Sequence, residues 1–194
     1  MNDMCGHDLC RRSRARAVRR ADIIGPVLQT KVLARLDQMV PTDLTFRMAV
    51  AADVGCLTDC FVGAMRETIT ATRGQWNEAS ERAQFREQLD LRETRIIRAG
   101  TLDVGFVMLA RQYDALQIHT LCIAPEYQGK GIGSQVTTDV IQQGVQTGSR
   151  VILSVLKTNN RAEALYRRLG FRVIEESEHH RHMQYHGGAC QGAG

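Results

Sequence analysis

Gln128-Gly129-Lys130-Gly131-Ile132-Gly133 is the stretch on which the reading of this chain turns. It follows an apolar extended run, Leu116 to Ile123, closed by Ala124-Pro125. It leads into Ile132, Val136 and Val140, spaced four apart, the repeat that lines one face of a helix. Strand, glycine loop and helix together leave main-chain N–H groups free at the helix start, where they can hold an anion. Glycines at 129, 131 and 133 let the backbone approach a phosphate with no Cβ in the way, and Lys130 adds positive charge. Spacing sorts the phosphate motifs. A Walker loop carries its lysine after the last glycine, whereas Lys130 precedes Gly131. A dinucleotide fingerprint reads G-x-G-x-x-G, whereas this chain reads G-x-G-x-G and then Ser134. The same six residues also suit a plain glycine-rich turn before a helix.

The segment downstream narrows the choice. Val151 to Leu156 has the β-branched, aliphatic make-up of a buried strand. After it, Ala162, Leu165, Tyr166 and Leu169 fall at i, i+3, i+4 and i+7, a helix stripe of about two turns. Asn160 with Glu163 has capping-box spacing, and Gly170 stands where a helix end favours a left-handed residue.

Gln128 to Gly133 matches Q/R-x-x-G-x-G/A, and Asn159 to Phe171 matches N-x-x-A-x-x-L-Y-x-x-x-G-F. In both, and in their order, the chain resembles the GNAT acyltransferase superfamily, in particular small bacterial GNAT acetyltransferases. The resemblance implies an α/β fold (an α+β mixed sheet) of about seven strands flanked by four helices, in the order βααβββαβαββ. Thr45 to Val50 is the expected first strand. Leu57, Phe61 and Met65 mark a first helix, and Glu78 to Leu89 a second, highly charged one. Strands are expected at Thr94–Arg98, Val104–Arg111, Ala115–Ile123, Phe171–Glu175 and His179–Tyr185. The domain so defined runs over residues 41–187, with a flexible tail at 188–194.

The resemblance also implies acetyl-CoA as co-substrate, no metal, and direct transfer of the acetyl group to an amine. Gln128, Gly129, Lys130, Gly131, Ile132, Gly133 and Ser134 are then expected to hold the pyrophosphate. Leu121, Cys122 and Ile123 map onto a bulged strand whose opened edge pairs with the pantetheine arm. Asn159 maps onto an asparagine that bonds the CoA arm, with Asn160 second. Tyr166 maps onto the phenol that protonates the departing thiolate, although a core tyrosine would suit the position too. For the proton leaving the amine, His119 and Glu67 are candidates, although His119 suits a hydrogen-bonded sheet residue equally well. Glu67 is expected in a loop after the first helix, and Trp76 either walls the acceptor pocket or anchors the second helix. Cys122 is not expected to act as a nucleophile.

Composition bounds the rest. No run approaches the ~18 apolar residues of a membrane span. The six cysteines (Cys5, Cys10, Cys56, Cys60, Cys122 and Cys190) show no framework spacing. Buried free thiols and a reducing, cytoplasmic setting follow. Residues 1–40 hold eight Lys/Arg against four Asp/Glu, whereas residues 41–194 hold seventeen of each, so all of the chain's +4 lies in the leader. Six arginines between Arg11 and Arg20 invite a nucleic-acid or ribosome-binding arm. No aromatic residue lies among them, and the plainer reading is a flexible or partly helical extension, or an upstream start. His180, His182 and His186 share one face if their segment is extended. A metal site and a polar edge strand beside the acceptor pocket both suit them. Three functions therefore stand: an N-acetyltransferase for a small molecule or protein amine, with dimers common among such enzymes; a non-catalytic acyl-CoA-binding regulatory module; and a ribosome- or RNA-associated protein acetyltransferase using the basic arm.

Overall fold

A computed structural model describes residues 43–187, so the 1–40 extension and the 188–194 tail lie outside the described residues. Strand β1 (Leu44–Met48) leads through a short 3-10 turn into α1 (Val54–Arg73) and α2 (Glu78–Gln88). A meander of β2 (Thr94–Ala99), β3 (Leu102–Gln112) and β4 (Ala115–Ile123) follows. Then come α3 (Ile132–Gln146), β5 (Arg150–Leu156), α4 (Asn160–Arg168), β6 (Phe171–Glu176) and β7 (His180–Tyr185). The seven strands form one sheet in the order β1-β2-β3-β4-β5-β7-β6, and the succession of elements along the chain is the expected βααβββαβαββ. Strand β7 therefore lies between β5 and β6, not at the edge, which corrects the edge-strand expectation.

Each face of the sheet carries its own core. On one, Ile132, Val136 and Val140 of α3 meet Leu116, Ile118, Val151, Leu153 and Phe171. On the other, Leu57 of α1 and Phe85 of α2 pack with Ile96, Phe106 and Cys122, while Phe61 stacks on Phe85 with ring centroids 4.4 Å apart. Phe106 is wholly buried, and truncating it to alanine would cost about 3–5 kcal/mol.

Helix α1 is longer than its apolar pattern indicates. Four of its last six residues are threonine or arginine, poor markers of an apolar face. The Thr70 and Thr72 hydroxyls donate back to the carbonyls of Arg66 (2.7 Å) and Thr68 (2.8 Å), so they satisfy themselves without ending the helix. Gly74, left-handed at φ 74°, closes it instead, its N–H on Thr70 O at 2.8 Å. At its other end, Asp53 is buried and accepts from Val50 N (2.9 Å) while Arg47 of β1 grips both its oxygens at 2.8 and 3.0 Å. Arg47 also reaches Asp103 of β3 at 2.8 Å, tying β1, β3 and α1 together.

Candidate acetyl-donor and acceptor site

The central feature is a parting of two strands. Strands β4 and β5 run parallel and pair from Ala115↔Arg150 to Ile118↔Leu153, where pairing stops. Strand β4 continues to Ile123, still paired on its other edge with β3 as far as Gly105↔Ile123. From His119 to Ile123, one edge of β4 is therefore open, its peptide groups turned toward a gap. Gly105 keeps the paired edge tight: a Cβ there would lie 2.3 Å from the Cys122 carbonyl oxygen.

A bulge sits at the point of parting. Met108 faces Thr120 and Leu109 faces Ile118, leaving His119 as the extra residue. The irregularity is thus at His119, not at Leu121–Ile123, which pair regularly with β3. One extra residue reverses the facing of all that follow. Leu116 and Ile118 before it, and Leu121 and Ile123 after it, all pack on the α3 side, whereas Cys122 turns to the α1 side.

Beyond β4, Gln128 Nε2 donates back to the Ile123 carbonyl at 3.0 Å, fixing the path of the loop. Gly129 and Gly131 both take φ 78°, the left-handed region in which a side chain is strained, and Gly131 is the N-cap of α3. The first N–H groups of α3 have no partner within the helix and point into this loop. Lys130 lies over the Tyr127 ring at 5.9 Å. Gly133 is close enough to α4 that a Cβ would touch Leu165 at 3.7 Å.

Helix α4 supplies the far wall. Its N-cap is Asn159, whose side chain accepts from Ala162 N at 3.1 Å, not Asn160 as the capping-box spacing indicates. With Asn159 as the cap, Glu163 falls one residue past the box position, and it is held instead by Arg167 and Arg181, each at 2.7 Å. The Asn159 carboxamide still has its NH2 donors for a ligand. Tyr166 is buried against Phe171, ring centroids 5.8 Å apart, and burial followed by the nearby Cys122 pushes its phenol up to about 12. The phenol therefore stays protonated across the physiological range. Burial likewise raises the Cys60 thiol to about 12 and holds Cys122 well above its ordinary value, so neither forms a thiolate near neutrality.

On the opposite, α1 side, the groups are side chains. His119 is exposed with Nδ1 3.1 Å from Thr120 Oγ1. Ser154, the first β5 residue past the parting, bonds His182 Nδ1 at 2.8 Å, and the His180 and His182 rings stack at 6.5 Å. Burial, then His182, His179 and Arg73, lower the His180 pKa, keeping that ring neutral at pH 7. His186 lies past the end of β7, its N–H on Gly170 O, so it does not join this face. Among the described residues no group of three His, Cys, Asp or Glu side chains is arranged to hold a metal. Helix α1 spans the open end of the two strands: Gly63 faces the Pro125 ring, and Thr72 Oγ1 meets Thr158 Oγ1 at 2.6 Å. Glu67 lies within α1 on its exposed side, not in a loop after it. Trp76 stacks on the Arg66 guanidinium at 5.3 Å, and Arg66 pairs with Glu78, so the indole anchors the start of α2. The Ser154–His182 pair is missing from the sequence reading; its signal is the one polar residue in Val-Ile-Leu-Ser-Val-Leu.

Residues 62–171, more than half of the chain, match the model of the Acetyltransferase (GNAT) family. The chain belongs to that family. The GNAT fold extends across the described domain. The structure of PaiA N-acetyltransferase from Thermoplasma acidophilum in complex with coenzyme A superposes with a TM-score of 0.62 at 18% identity, over 74% of this chain and 99% of that one. Among curated proteins, thialysine N-epsilon-acetyltransferase of Sus scrofa is 33% identical over 77 residues, 39% of this chain and 45% of that protein. Mycothiol acetyltransferase of Corynebacterium efficiens is 38% identical over 84 residues, 42% of this chain and 27% of that protein. The chain thus spans less than half the length of these two relatives. No helix of the described residues is long and apolar enough to cross a membrane.

Proposed function

We propose that this chain is an acetyl-CoA-dependent N-acetyltransferase that moves an acetyl group directly to a primary amine of a small molecule or protein. The observation that carries this reading is the parting of β4 and β5 after Ile118↔Leu153, followed along the chain by a glycine-turned helix start. The cradle fits the donor: left-handed glycines at 129 and 131 leave the loop free of side chains where a diphosphate would lie. The main-chain N–H groups of Gly129 to Ser134 hold that diphosphate. The open edge of Leu121, Cys122 and Ile123 pairs with the pantetheine amides as a strand would. The Asn159 NH2 bonds the same arm while its oxygen caps α4. Acetyl-CoA supplies the activated thioester.

Tyr166 Oη gives its proton to the sulfur that departs, and its raised pKa means that the phenol carries that proton at neutral pH. The unpaired bulge position presents the His119 imidazole to the acceptor side, where it takes the proton of the incoming ammonium, directly or through water. Glu67 has no part in this step. Attack without an acyl-enzyme agrees with the thiol of Cys122, which burial keeps protonated.

A panel of primary amines (amino-sugars, polyamines, amino-acid derivatives, peptide N-termini), read by thiol release from acetyl-CoA, tests the reading. Amine-dependent thiol release is expected for at least one class. CoA binding without release for any amine would favour the regulatory acyl-CoA-binding module instead.

A further inference from the structure

Strand β1, at the edge of the sheet, has one polar face and one apolar face. Thr45 and Arg47 point to the α1 side, where Arg47 grips Asp53. Leu44, Phe46 and Met48 point to the α3 side, where Leu44 joins the core beneath α3. The apolar face of a strand is the one its pattern commits to burial. Here it is left open: Phe46 is 39% exposed and Met48 48%, and Leu102, which flanks Ala99 opposite Leu44, is 38% exposed. The helices on this side rest farther along the sheet, α3 on β4 and β5, α4 on β6. Arg95, the cross-strand partner of Met48, makes no ion pair among the described residues.

The chain leading into β1, outside the described residues, carries a complementary pattern. Val32, Leu33, Leu36, Met39 and Val40 fall at i, i+1, i+4, i+7 and i+8, the spacing of one helix face, between Pro26 and Pro41. Asp37 borders that stripe and is opposite in charge to Arg95. Only Pro41, Thr42 and Asp43 separate the stripe from β1, and so short a link spans at most about 14 Å. We propose that residues 27–40 dock as an amphipathic helix on the apolar face of β1, with Asp37 toward Arg95. The leader then has two parts, a docked segment and the arginine-rich stretch ahead of it.

Limited tryptic digestion of the full chain, read by mass spectrometry, tests this. Arg20 and Arg35 are each followed by one apolar residue and an aspartate, so their cleavage sites are matched in sequence. Cleavage after Arg35 is expected to be about 10-fold or more slower than after Arg20. Phe46→Glu should remove that protection in a chain that still melts cooperatively. Leu33→Glu, outside the folded domain, carries the same test if that variant does not fold, and should also lower Tm by about 2–4 °C. Equal rates after Arg20 and Arg35 in the wild type would overturn the inference, as would protection that survives both substitutions. A dimer in light scattering that Phe46→Glu dissociates, with cleavage after Arg35 unchanged, would overturn it too and assign the face to a second copy.

Discussion

The two sides of the gap between β4 and β5 are made of different material. On the α3 side, the candidate donor site is mostly main chain: left-handed glycines, unpaired N–H groups at a helix start and the open edge of a strand. On the α1 side, the candidate acceptor site is all side chains: His119 on a bulge, Ser154 bonded to His182, and the α1 surface that spans the opening. A main-chain site constrains residue type tightly, because only glycine tolerates φ near 78° beside a ligand. A side-chain site is free to change its groups while the backbone stays the same. The fold can therefore fix what the donor is and leave the acceptor open, which accords with relatives whose names specify thialysine and mycothiol.

That division can be broken most severely at Tyr166, the side chain proposed to protonate the departing thiolate. Tyr166→Phe is expected to lower kcat by about 100-fold or more, the scale of a lost general acid, with KM for acetyl-CoA within a few-fold. A steady-state comparison of the two constants checks it, and a loss carried wholly by KM would make Tyr166 a packing residue. His119→Ala probes the other side: kcat should fall about 10-fold or more, with CoA affinity unchanged. If CoA affinity falls as well, the two sides are not separable.

Stability away from the gap sharpens the contrast. Burial alone would raise the Asp53 pKa, but the Arg47 fork and the Val50 N–H outweigh it and hold the carboxyl below its ordinary value. A carboxyl depressed on folding adds stability that is present above its unfolded pKa of about 4 and is lost as pH falls through the folded value. Asp53→Asn should cost about 2 kcal/mol at pH 7, lowering Tm by roughly 4–8 °C, and the variant's deficit should shrink below pH 4. Scanning calorimetry at pH 7 and pH 3 checks this, while kcat at 25 °C should hold. Asn159→Ala is a smaller perturbation, about 1 kcal/mol through the lost α4 cap, together with a modest rise in KM for acetyl-CoA. Glu67→Ala should do least, leaving both kinetic constants within about 2-fold, since that carboxylate faces solvent.

What was legible in the sequence follows the same division. Gln128–Gly133 and Asn159–Phe171 can be read because backbone demands and helix packing restrict those positions to few residue types. The succession of strands and four helices along the chain comes with them. The bulge was also written in the chain, as a slip in apolar phase: Leu116 and Ile118 keep one alternation, and Leu121 and Ile123 keep the other, with His119-Thr120 between them. Glu67 was misplaced because a threonine-rich run hides the continuation of α1, whose hydroxyls bond back along the helix. Two adjacent asparagines made the α4 cap ambiguous by one residue, and Glu163 went to Arg167 one turn on and to Arg181 of β7. The Ser154–His182 pair needs β5 and β7 side by side, a neighbourhood that no local pattern encodes.

The central claim is that a glycine-turned loop holds the donor, and titration of CoA into the full chain and its Gly131→Val variant tests it most directly. Gly131 caps α3 in the left-handed region, which a β-branched residue resists. The account predicts saturable, one-to-one CoA binding by the wild type and none by a Gly131→Val protein that still melts cooperatively. Wild-type affinity in that variant would contradict it.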